Sequence, residues 1–189
     1  YGEPESIPCT EQHPVLPLSP YGVSKYVGEL YLSLYYRLHQ IHYTTLRYGN
    51  VYGPRQEPHG EAGVVAIFMG QLLANERPTI FGDGTKTRDY IYVGDVAAAN
   101  IKAMGEVGDG EVFNLARGVE VSDFEIFESV RKAMGASIGP SYAPKRPGEA
   151  DRVSLDSSKA AVAFDWRPAT ELVDGIAKTA AYYRDSAPK

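Results

Sequence analysis

A single dipeptide, Ser19-Pro20, sorts the first fifty residues of this chain into segments that can and cannot be regular. Before it, residues 3–19 carry Pro4, Pro8, Pro14 and Pro17. Proline has no backbone donor and obstructs the helical turn before it, so this stretch reads as a surface loop. After it, serine as N-cap and proline in the first turn begin a helix. Tyr26, Leu30, Leu34 and Leu38 then recur at four-residue spacing, which marks an apolar face and carries the helix to about His39. The β-branched and aromatic run from Tyr43 to Tyr48 follows as a buried strand.

The remaining residues continue to alternate. Val64 to Asn75 reads as a helix, Thr79 to Phe81 as a short strand and Asp89 to Val93 as an extended segment. A helix is expected from Val96 to Gly105 with Asp95 as its N-cap, then a strand from Glu111 to Leu115. Ser122, with Glu125 three residues on, has the spacing of a capping box and opens a helix to Met134. A loop around Pro144 to Glu149, an extended piece at Val153 to Leu155, and helices near 157–164 and 170–184 complete the chain. There is no internal repeat, low-complexity tract or interdomain linker.

Charge and cysteine content narrow the partners. The 189 residues carry a net charge of −5, which argues against a nucleic acid or an anionic membrane surface as partner. Cys9 is the only cysteine, so no internal disulfide forms, and the chain reads as a cytoplasmic one with a bystander thiol. His13, His39, His42 and His59 lack metal-ligand spacing with any cysteine or acidic cluster, so no metal site is expected. No apolar run approaches the roughly 20 residues that span a bilayer.

Within the first helix, Tyr21 and Lys25 lie four apart and therefore on one face. A phenol on its own titrates near ~10 and serves as a base at neutral pH only beside a positive charge, which the lysine supplies. The plain alternative is an aromatic ring next to a solvated amine. Asp89 and Asp95 are not an acid/base pair: Asp89 fixes a loop beside Arg88, and Asp95 caps a helix.

Four stretches in order, Ser19 to Lys25, Arg47-Tyr48-Gly49-Asn50-Val51-Tyr52-Gly53-Pro54-Arg55-Gln56, Gly82-Asp83-Gly84-Thr85-Lys86-Thr87-Arg88-Asp89-Tyr90-Ile91-Tyr92-Val93, and Arg146-Pro147-Gly148-Glu149, resemble the extended short-chain dehydrogenase/reductase family over nearly the whole chain. The run from Pro58 to Phe68 is most similar to bacterial UDP-glucose 4-epimerases and their nucleotide-sugar relatives. The resemblance implies the C-terminal part of a Rossmann-like, doubly wound parallel α/β sheet with a smaller α/β substrate-binding domain. Residues 1–57 would end the NAD-binding domain, and 58–189 would mainly bind the nucleotide sugar, with some segments returning to the first domain. The family's opening strand and Gly-rich phosphate turn are not among these residues. Gly82-Asp83-Gly84 has Thr87 where a third glycine would stand and reads as a turn.

By the same resemblance Tyr21 is the base, Lys25 holds the ribose of NAD, and the main chain near Tyr48 meets the nicotinamide. Asn50, Val65, Ile80, Phe81, Arg88, Arg146 and Glu149 would contact a UDP-sugar. Arg88 and Arg146 suit a diphosphate because the guanidinium fork matches phosphate oxygens. Glu149 would accept from a ribose hydroxyl. The alternatives are a core role for Tyr48, Ile80 and Phe81, a turn role for Asn50, and solvated arginines. The implied activity is NAD-dependent 4-epimerisation of a UDP-hexose, with a homodimer formed through the Tyr21–His39 helix. A 4,6-dehydratase, a UDP-glucuronate decarboxylase or a non-catalytic nucleotide-sugar module are the alternatives. The 189 residues alone are expected to be inactive.

Overall fold

The computed structural model describes residues 1–59, 63–105 and 107–186. Helix α1 spans Pro20–His39 and begins as its sequence requires, with the Ser19 hydroxyl accepting from the Gly22 N–H at 3.1 Å. The loop before it forms one isolated parallel bridge, between Cys9 and Leu155. Strand β1 (Thr44–Tyr48) and β2 (Asn50–Tyr52) follow, then α2 (Val64–Leu73), β3 (Thr79–Phe81), β4 (Thr87–Arg88), β5 (Tyr90–Tyr92) and α3 (Val93–Ala103). The chain continues through β6 (Glu111–Leu115), β7 (Val121–Ser122), α4 (Asp123–Met134), β8 (Ser141–Ala143), α5 (Ser158–Phe164) and α6 (Leu172–Ser186).

Among the described residues the strands form four two-stranded ladders. β1 runs parallel to β6, β2 to β5 and β3 to β8, while β4 and β7 are antiparallel. Parallel partners need long crossovers, and here those crossovers contain the helices, which is α/β architecture. Among the described residues the apolar core has two large centres and a small one around Cys9, Ala116 and Leu155. One joins Phe68 and Met69 of α2, Ile126 and Phe127 of α4, and Ile176 and Ala180 of α6, with Phe68 and Phe127 edge to face at 5.9 Å. The second joins Ile91, Phe113, Leu115, Phe164 and Trp166, with Leu46 of β1 and Val51 of β2 packed against it. At Gly175 of α6 an added Cβ would lie 2.2 Å from the Tyr52 hydroxyl, so glycine is what lets this helix close onto β2.

Several expectations are corrected. The face of α1 that carries Leu30, Leu34 and Leu38 is exposed, and no residue of α1 is buried. The half-buried positions are instead Gly22, Tyr26, Glu29, Ser33 and Tyr36, spaced four and three apart, so the helix rests on a neighbouring stripe that includes a carboxylate. β1 is only partly covered, because β6 is its one ladder neighbour among the described residues. α3 begins at Val93 with Tyr92 as N-cap. Asp95 lies in its first turn, where its carboxylate accepts from the Thr170 N–H (3.0 Å) and hydroxyl (3.2 Å) and braces the approach to α6. β2, β4, β7 and β8 have two or three residues each, too few for a hydrophobic period to be read. Within the Pro58 to Phe68 run, Gly60, Glu61 and Ala62 lie outside the described residues.

Candidate active site

A cleft of about 1120 Å3 runs along β1 to its carboxyl end. It is walled by α1, the first loop, residues 44–51 and the segment 148–155. β1 passes into β2 through Gly49, whose N–H donates to the Leu115 carbonyl, and Asn50 donates to the Asp89 carbonyl. A Cβ on Gly49 would sit 2.7 Å from that Asp89 oxygen, so the close crossing of the two strands excludes a side chain there. Strand ends of this kind are where ligands of open α/β sheets sit.

Tyr21 and Lys25 line the cleft from the first two turns of α1. Both are exposed, and the Lys25 ammonium lies 5.1 Å from the Tyr21 ring centroid. Lys25 makes no ion pair among the described residues. Tyr48 and Asn50 line the same cleft. The Tyr48 hydroxyl donates to the Asn100 side chain at 2.9 Å, on α3. Asn50 is exposed.

Beside this pair is a polar assembly that sequence reasoning did not single out. Both Glu29 oxygens accept from Arg47, from Nε at 2.8 Å and from Nη2 at 2.6 Å. The third guanidinium nitrogen donates to the Tyr1 hydroxyl at 2.8 Å, and Tyr1 donates to the Asn114 side-chain oxygen at 2.6 Å. The arginine also lies over the Tyr1 ring. The Glu29 and Arg47 side chains are 18% and 16% exposed. A signal existed: Glu29 is four residues after Lys25 and so on the face that faces the strand.

A second group gathers the other sequence-predicted residues. The Arg146 guanidinium stacks 3.7 Å over the Phe81 ring, so the arginine and the aromatic expected at the ligand meet each other. Glu149 accepts from Lys86 at 2.5 Å, and the same ammonium lies 3.3 Å from Asp123 at the start of α4. Burial pushes the Asp123 carboxyl upward and Lys86 opposes that shift. Lys86, inside a segment read for its arginine, is a further residue that the sequence left unremarked. Arg88 is half-buried and donates to the Thr87 carbonyl. Ile80 and Val65 are each 1% exposed, and both side chains belong to the core, which leaves only their main chain to a ligand. The loop bearing Arg146 and Glu149 reaches the cleft wall at Gly148, where an added Cβ would lie 3.1 Å from the Leu18 carbonyl.

Asp89 holds the scaffold and not the chemistry. Its buried carboxylate accepts from the N–H groups of Arg117, Gly118 and Leu155 and from the Ser154 hydroxyl. Burial raises its pKa, and those backbone donors oppose the rise. These bonds tie the start of β5 to the turns after β6 and before α5, through main-chain donors and one serine hydroxyl. Among the described residues no three histidine, cysteine or carboxylate side chains gather for a metal, and no helix is long and apolar enough to cross a membrane.

The residues present suit one end of a dinucleotide. A phenol and an ammonium share one cleft wall with the end of β1, and both are groups that hydrogen-bond to hydroxyls such as those of a ribose. The turn at Gly82 to Gly84 does not suit a pyrophosphate, because the Asp83 carboxylate occupies it by accepting from the Thr85 N–H and hydroxyl. No helix follows it directly.

Comparison with known proteins matches residues 1–116 to the NAD dependent epimerase/dehydratase family. The chain is 45% identical over 185 residues to a UDP-glucose 4-epimerase of Mycolicibacterium smegmatis, covering 98% of this chain and 59% of that protein. It is 35% identical to a dTDP-glucose 4,6-dehydratase of an Actinoplanes species, covering 97% and 57%. Its fold superposes with a TM-score of 0.93 on the UDP-glucose 4-epimerase of Thermotoga maritima solved with UDP-glucose, at 43% identity, covering 96% and 59% of the two chains. The Thermus thermophilus UDP-glucose 4-epimerase solved with NAD gives a TM-score of 0.90 at 40% identity, covering 99% and 61%. The α/β fold is therefore Rossmann-like, and the chain spans about three fifths of the length of these relatives.

Proposed function

The chain belongs to the NAD dependent epimerase/dehydratase family, and from that premise we propose that it forms the proton-transfer and nucleotide-sugar-binding part of a UDP-hexose 4-epimerase. The family's cofactor, NAD, supplies when bound the oxidation and reduction at carbon 4, by way of a 4-keto sugar, that inverts the configuration there. Tyr21 holds the proton of the sugar 4-hydroxyl at its phenol oxygen and returns it. Lys25 keeps its ammonium beside the Tyr21 phenol and binds the cofactor ribose. The main chain at Tyr48 meets the nicotinamide. Asn50, Arg88, Arg146 and Glu149 take the UDP moiety, with main chain at Val65 and Ile80 and the ring of Phe81 around the base. Residues 1–57 serve the cofactor end and 58–189 mainly the sugar-nucleotide end. A second copy packs on the exposed face of α1.

The observation that carries this reading is the Lys25 ammonium 5.1 Å from the Tyr21 ring, both on the cleft wall. In the intact protein, Tyr21→Phe leaves UDP binding by calorimetry unchanged and reduces interconversion of UDP-glucose and UDP-galactose by at least about 100-fold, the contribution of a positioned base. Turnover near the wild-type rate would return Tyr21 to the surface aromatics. The 189 residues alone bind NAD weakly, since no Gly-rich phosphate turn is among them. A 4,6-dehydratase is the second reading, favoured by the Actinoplanes relative. Product analysis separates the two: an epimer in one case, a 4-keto-6-deoxy sugar in the other.

A further inference from the structure

Lys25 and Glu29 are one helical turn apart on the stripe of α1 that faces the cleft, where an ammonium and a carboxylate are natural partners. They make no ion pair in the structure. The Glu29 carboxylate is fully engaged elsewhere, with each oxygen held by a different nitrogen of Arg47. We propose that Arg47 is a positioning residue: by holding both oxygens of Glu29 it keeps that carboxylate from pairing with Lys25, and so leaves the Lys25 ammonium to Tyr21. The proposal deepens the reading of Tyr21 and Lys25 given above and rests on it.

Three observations support the assignment. A planar guanidinium suits two parallel bonds to a carboxylate, and the two short distances show that geometry. The arginine is itself anchored, with its remaining fork on the Tyr1 hydroxyl and its plane over the Tyr1 ring, and Tyr1 is tied in turn to Asn114 of β6. Glu29 is therefore pulled toward the strand, away from the upstream turn of its own helix. Both partners are largely sheltered, so the pair is screened less than an ion pair on an open helix surface. Without Arg47, a sheltered carboxylate would lose its partner, and the nearest cation on its own face of the helix is Lys25. Pairing there would withdraw the Lys25 ammonium from the Tyr21 ring, 5.1 Å away.

The arrangement predicts an asymmetry that a simple clamp between helix and strand would not show. In the intact protein, Arg47→Met lowers kcat by about tenfold, the size of one charge contact, while the affinity for UDP measured by calorimetry stays within about twofold. Glu29→Gln alone retains near wild-type kcat, because it removes the competitor together with the pair. Glu29→Gln added to Arg47→Met restores kcat to within about threefold of wild type. A crystal structure of the Arg47→Met protein, read without any assay, shows the Glu29 carboxylate hydrogen-bonded to Lys25.

The idea is overturned if Glu29→Gln is as slow as Arg47→Met, or if the double variant is as slow as the Arg47 single variant. Either result would mean that the pair only fastens α1 to β1. If Arg47→Met does not fold, Glu29→Gln by itself separates the two roles. Failure of the underlying reading has a different signature: Tyr21→Phe would keep its turnover while the crystal structure still showed Glu29 on Lys25.

Discussion

Helices α1 and α4 start by the same local rule and end in opposite surroundings. Each has a serine N-cap whose hydroxyl accepts a backbone N–H three residues on, Ser19 from Gly22 and Ser122 from Glu125. Yet α4 buries Asp123, Ile126, Phe127 and Val130, whereas the longer α1 buries none of its residues. The cap and the periodicity determine where a helix lies along the chain, and neither says what will cover it. α4 finds α2 and α6 within these 189 residues. α1 finds only the half-buried stripe from Gly22 to Tyr36 and the Glu29–Arg47 pair. The proposed catalytic residues thus stand on the less supported helix and the proposed UDP contacts beside the better supported ones.

The largest expected effect tests the well-packed side. Phe127 is fully buried and meets Phe68 edge to face. Phe127→Ala removes that contact and leaves a cavity, at a cost of about 3–5 kcal/mol in chemical denaturation of this chain. A loss below about 1 kcal/mol would mean that the α2, α4 and α6 centre collapses around the gap and is no firmer than α1.

A middle-sized effect tests whether the firm side binds. If the Arg146 guanidinium leaves the Phe81 ring for a diphosphate, Arg146→Ala weakens UDP binding in the intact protein by about 1.5–3 kcal/mol, the range of a charge-assisted contact. Calorimetry reads it directly. Unchanged affinity would place Arg146 among the solvated arginines, its stacking on Phe81 serving the loop alone.

Much of the fold was legible because it is written locally. The start of α1 at Ser19-Pro20, the capping box at Ser122 and Glu125, and the strands ending at Tyr48 and Leu115 all lie where composition and spacing put them. What sequence could not give was long-range. Asp95 is a helical residue braced by Thr170, seventy-five positions away, so its helix starts earlier than an N-cap aspartate would imply. Val65 lost its side chain to the core because packing, not motif, decides which way a first turn faces. The Tyr21 and Lys25 pair was visible because it is an i, i+4 relation on one helix. Glu29 shares that relation, but Arg47 and Tyr1, which give it meaning, reach it only through the fold.

The smallest expected effect is the sharpest test of the comparison, since it predicts that a large apolar side chain contributes almost nothing. Leu34 lies on the face of α1 that its spacing marks as apolar, and it is 39% exposed, with Leu30 and Leu38 beside it more exposed still. Leu34→Ala removes little contact, and alanine is the better helix former, so denaturation of this chain should shift by no more than about 0.5 kcal/mol in either direction. A loss above about 1 kcal/mol would show that the face is covered in solution by another part of the chain or by a second copy. Repeating the measurement at several protein concentrations separates those two, because only a second copy makes the cost concentration-dependent. The same substitution in the intact protein then asks what α1 lacks here: a larger cost there, independent of concentration, would mean that residues outside this chain complete the support of the helix on which Tyr21 and Lys25 stand.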